Sequence, residues 1–93
     1  MTSAYMQYPT GLDFCPLLEG LEADHCQCPH WGYVLEGRIR VDYHDGSHET
    51  VGAGQLYHWP AGHTIIVEDT VRMVEFSPHD QMSAVLAHVV AKL

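Results

Sequence analysis

Ninety-three residues support one domain around one core. With 46% hydrophobic and 17% charged residues the chain has an ordinary globular composition, and no apolar run reaches the roughly 20 residues needed to span a bilayer. A formal net charge of -8, with only four Lys and Arg, repels phosphate backbones and anionic lipid, which argues against nucleic acid and membrane as partners.

The opening stretch, MTSAYMQYPTG, has no basic segment followed by an apolar core, so no secretory leader is expected and the cytoplasm is the default location. Residues 1–23 follow no single period, and CPLLEGL suggests a turn or one helical turn after Pro16. From Cys26 onward the pattern is strand-like. WGYVLEGRIRVDYH is aromatic and β-branched, with Arg38, Arg40 and Asp42 outward and Ile39 and Val41 inward. DGS at 45–47 marks a hairpin, and HETVGAG returns as a strand. QLYHWPAGH gives a short strand and a Pro60–Gly62 turn, and TIIVED and VRMVEFS read as two strands joined through Asp69 and Thr70. The period then changes: Ser77 as N-cap, Pro78 at the first helical position and apolar residues at helical spacing predict a helix over about 78–92. Short strands followed by one helix favour a small barrel or sandwich.

Three cysteines leave one over after any disulfide, and a Cys26–Cys28 bridge would close a strained ring. In an extended chain Cys26, Cys28 and His30 share parity and point to one face, while His25 and Gln27 point to the other. Such a set of soft and borderline ligands suits Zn²⁺, Fe²⁺ or Cu⁺. Pro29 cannot donate to a sheet ladder, which places the stretch at an edge or a bulge.

These residues resemble the cupins, small β-barrels known by two motifs. The first runs Gly, five residues, His-x-His, a short spacer, Glu, six residues, Gly. Here Gly20 precedes Cys26-x-Cys28 by five residues, and six residues separate His30 from Gly37. Cysteines stand where the family keeps histidines, and His30 where it keeps glutamate. The second motif is matched by Gly54, Pro60, Ala61 and Gly62, with Ile65 at the family histidine's place and His63 two residues earlier. The resemblance covers about residues 20–76. It implies a mainly β chain: one cupin-type double-stranded β-helix, or jelly-roll barrel, over residues 1–93, with a short C-terminal helix.

The resemblance further implies metal ligands at Cys26, Cys28, His30 and His63, with His25 in reserve. A Cys₂His₂ set is softer than the family's usual three-histidine, one-glutamate site and suits tetrahedral zinc, with iron or copper as alternatives. Four protein ligands would close the shell, so the function expected first is a non-catalytic zinc-binding cupin of ligand-binding or sensory type. A metal-dependent isomerase, lyase or dioxygenase acting on a small molecule is the alternative, and a redox switch through Cys26 and Cys28 a third.

Plainer roles stand beside these. Cys26 and Cys28 also suit a core as small buried hydrophobes, and Cys15 is expected to be buried. His44, His48, His58, His79 and His88 belong at the surface. Trp31, Tyr33, Tyr57 and Trp59 line either a ligand pocket or ordinary packing. Glu36 and Glu75 act as proton donors only if they face the lumen. A homodimer is expected, because cupins commonly pair and a small barrel has exposed edges.

Overall fold

The computed structural model describes residues 1–92. In chain order the elements are β1 (Thr2–Tyr8), α1 (Cys15–Leu18), a 3₁₀ turn at Glu22–Asp24, β2 (His30–Tyr43), β3 (His48–Gly52), β4 (Leu56–Trp59), β5 (His63–Ser77) and α2 (His79–Lys92). The five strands form one antiparallel sheet in the order β1-β5-β2-β3, with β4 also paired to β2. The molecule is mainly β with a short C-terminal helix, in the jelly-roll manner. No helix among the described residues is long and apolar enough to cross a membrane.

Two long strands are the spine. β2 pairs with β5 from Trp31↔Phe76 to Tyr43↔His63. β4 lies beside the first part of β2, from His30↔Trp59 to Tyr33↔Leu56, and β3 beside the last part. Register shifts between Val34 and Ile39 are bulges, which bend a strand. They also change its parity. His30, Gly32 and Val34 are buried before them, Ile39 and Val41 after, so one face of β2 points inward along both halves.

The main core joins Val34, Ile39, Val41, Tyr57, Trp59 and Met73 with Val51, Val67 and Val71. A second cluster of Leu18, Cys26 and Cys28 packs against α2 through Met82, Val85 and Val89.

Three local expectations change. β1 is a strand that the mixed pattern of residues 1–23 did not announce. The segments taken as two strands, TIIVED and VRMVEFS, are one strand, continuous through Asp69 and Thr70. Ser77 ends β5, and its hydroxyl meets His30 where a helix cap was expected.

Candidate metal centre

Cys26 and His63 meet through backbone. The Cys26 N–H donates to the His63 carbonyl at 2.7 Å, and the Gly62 N–H donates to the Cys26 carbonyl at 2.8 Å. Gly62 has φ of +91°, a conformation that favours glycine, and the turn it makes starts β5 at His63. His30 begins β2 opposite Trp59. Cys26, His30 and His63 are all buried, and one ligand atom from each lies within 4.8 Å of the others.

The geometry fits an ion. Cys26 Sγ and His30 Nε2 are 3.5 Å apart. Tetrahedral zinc, with bonds of about 2.3 Å to sulfur and about 2.0–2.1 Å to nitrogen, sets sulfur and nitrogen about 3.6 Å apart. The imidazoles are also turned the right way. His63 Nδ1 lies 2.8 Å from the Pro60 carbonyl, which can only accept, so Nδ1 carries the proton and Nε2 keeps its lone pair. His30 Nδ1 faces Ser77 Oγ at 2.6 Å and Glu75 Oε2 at 3.5 Å, which leaves Nε2 for the site. Metal-bound histidines are held in this way by partners on the other ring nitrogen.

Burial sets the charge states of these three groups in the absence of a metal. It pushes the Cys26 thiol up to about 12. It lowers His30 to about 3, helped by the neighbouring His63, and lowers His63 as well. Two neutral imidazoles are therefore ready to coordinate, whereas the thiol must lose its proton to do so.

Cys28 stands apart from this group. It is fully buried, but its Sγ faces the Pro29 carbonyl at 3.5 Å and its side chain packs with Leu18 against α2. Cys26 Sγ instead passes the Cys28 carbonyl at 3.7 Å on its way to His30. Among the described residues, three of the four expected ligands come together. His25, the reserve ligand, lies against His44, ring centroids 5.4 Å apart, outside the trio.

Glu75 faces inward beside the trio. The Tyr57 hydroxyl donates to its Oε1 at 2.7 Å, and burial raises its pKa to about 7 despite that hydrogen bond. Gly32 makes the contact possible, since a Cβ there would sit 2.5 Å from Tyr57 Oη. Glu75 shares parity with His63 along β5, a signal visible only once β5 is read as one strand. Glu36 is exposed and pairs with Arg72 at 2.6 Å. Tyr57 and Trp59 are buried and stacked, centroids 4.0 Å apart, whereas Trp31 and Tyr33 lie on the outer face.

A family model described as a cupin domain matches residues 18–77. Among solved structures, a DUF861 family protein from Thermotoga maritima is similar at 19% identity and a TM-score of 0.60, over 81% of this chain and 77% of that one. A putative ethanolamine utilization protein Q from Salmonella typhimurium is similar at 19% identity and a TM-score of 0.58, over 81% of this chain and 55% of that one. A mutant oxalate decarboxylase from Bacillus subtilis is similar at 19% identity and a TM-score of 0.55, over 81% of this chain but 20% of that one. The chain thus spans little more than half of the second protein and a fifth of the third. At such identities the likeness is one of fold. No curated protein matches the chain.

Proposed function

The chain belongs to the cupin family, and on that premise we propose that it is a zinc-binding cupin of ligand-binding or sensory type, with Cys26, His30 and His63 as its protein ligands. The observation that carries the reading is the convergence of these three buried groups, ligand atoms within 4.8 Å of one another, at a cavity of about 360 Å³. One thiolate and two imidazoles suit zinc before the harder metals, and three ligands leave a tetrahedral ion one position for a small molecule. Binding would tie β2 to the start of β5 and add to folding free energy. The test is to purify the protein without an affinity tag and follow melting with and without a strong chelator. Zinc near one per chain, lost in Cys26→Ala, and a lower melting temperature after chelation are expected. Zinc-free protein with unchanged melting would count against the reading.

A second reading, a metal-dependent enzyme, is favoured by Glu75, a carboxyl buried beside the trio with its pKa near neutrality. Turnover of a small molecule, abolished by Glu75→Gln with zinc content intact, would establish it.

The proposal extends to a homodimer. Tyr5, Val74, Tyr33 and Leu56 lie side by side across four strands on the outer face, next to Phe76 and Trp31. All but Val74 are exposed. The flank carries one cation and one carboxylate, Arg72 and Glu36, so a two-fold axis can set opposite charges against each other.

A further inference from the structure

The cavity beside the trio, about 360 Å³, is near the lower end of the roughly 300–1,000 Å³ of small-molecule pockets. Its wall is mostly apolar. Met6, Met73, Met82, Phe14 and Ile65 supply hydrocarbon and aromatic wall, and the methionines are flexible enough to fit varied shapes. Among the polar groups of the wall, His30 meets Cys26, His63, Glu75 and Trp59, while Tyr8 and Thr64 also line the cavity. Trp59 is 1% exposed, and its Nε1–H has no hydrogen-bond partner. A residue that lines the cavity therefore carries a donor in want of an acceptor.

Charge narrows the choice further. A Cys26 thiolate with two neutral imidazoles brings one negative charge to a divalent ion and leaves one positive charge buried. Buried charge needs a partner. Glu75 lies across the His30 ring from the trio's meeting point, one oxygen accepting from Tyr57 and one facing Nδ1, so it offsets that charge only at a distance. An anionic ligand in the fourth position would meet the charge directly.

We propose that the cavity takes a small monoanionic molecule with a mainly apolar body, a short-chain or single-ring carboxylate, its oxygen at the trio and its hydrocarbon against the methionine and aromatic wall. This rests on the zinc-binding reading above for its head group, though not for its body.

The chain has two tryptophans, and Trp31 lies on the outer face, so Trp31→Phe leaves Trp59 as the single indole reporter inside the cavity. Its fluorescence is titrated with hexanoate, acetate and toluene, on zinc-loaded and on chelator-stripped protein. Hexanoate is expected to bind at least tenfold more tightly to the zinc form, and acetate at least tenfold more weakly than hexanoate. Toluene, which has no head group, should bind both forms alike. α2 contributes wall but buries no residue fully, so Val85→Phe fills the cavity from the side least embedded in the core. It should weaken hexanoate at least tenfold with zinc content unchanged. Val89→Phe, one turn on, serves if the first variant does not fold. Acetate binding as tightly as hexanoate, or no saturable response to hexanoate or toluene in either form, overturns the proposal. Hexanoate binding a zinc-loaded and a stripped protein equally overturns the head-group contact. A protein that takes up no zinc yet still binds toluene sinks the zinc reading and the head-group contact with it, and supports the apolar body alone.

Discussion

His63 gives its Nδ1 proton to the Pro60 carbonyl, and His30 turns its Nδ1 to Ser77 and Glu75, so both rings reach the site as neutral bases. Burial holds both below the ordinary histidine range. On unfolding, each imidazole regains a pKa of about 6.5 and takes up a proton below it. Their contribution in the metal-free protein is therefore complete above about pH 6.5 and is lost as pH falls, by up to about 1.4 kcal/mol per pH unit for each. Glu75 runs the other way. Its folded pKa of about 7 lies above the ordinary 4.5, so its burial costs stability increasingly as pH rises between those values. Between pH 7 and pH 5 the His30 and Glu75 contributions nearly offset at about 2 kcal/mol each, so His63 sets the sign, and the urea midpoint in the presence of chelator should fall. His63→Gln should flatten that slope, and an unchanged slope would mean the rings are not held neutral. Cys28→Ala should keep its zinc at a stability cost of about 1 kcal/mol, whereas Cys26→Ala should lose it. Cys26 and His30 were marked by their spacing and shared parity, and His63 by the resemblance to the second cupin motif. Cys28 was misleading because parity assumes regular strand: β2 begins only at His30, and Cys26 is held by its own pairing with His63.

Among the elements, β2 and β5 do most to place the site. The bulges in β2 explain why Glu36, which shares parity with His30, is exposed: the inward face changes parity beyond Val34. Glu68, Asp69 and Thr70 form the exposed polar run opposite those bulges, and it is this run that makes β5 read as two strands. β1 was illegible for a different reason. Its inward positions include Thr2 and Ala4, too small or polar to mark an apolar face, and pairing with β5 from Thr2↔Ser77 to Tyr8↔Val71 supplies the order. Gly32 is where element and site meet. An added Cβ would fall 2.3 Å from the Val74 carbonyl oxygen and 2.5 Å from Tyr57 Oη. Gly32→Ala should cost about 3 kcal/mol by denaturant unfolding and detach Tyr57 from Glu75. A loss under about 0.5 kcal/mol would show that the strands shift freely and that the close packing is not required.

At the scale of the molecule, the curled sheet keeps two apolar surfaces apart. The inner one holds the core, the cavity and the trio, with α2 alongside; the outer one carries the exposed row from Tyr5 to Leu56. Tyr33→Glu would add a carboxylate to each copy of that row, and should turn a dimer into a monomer in sedimentation velocity without changing zinc content. A wild-type protein that sediments as a monomer would remove the homodimer. Zinc-edge X-ray absorption on the tag-free protein reads which atoms hold the ion. The predicted spectrum has one sulfur at about 2.3 Å and two imidazole nitrogens at about 2.0–2.1 Å, with one further light atom in the shell. Two sulfurs would bring Cys28 into a closed site, and a shell without sulfur would contradict the role assigned to Cys26.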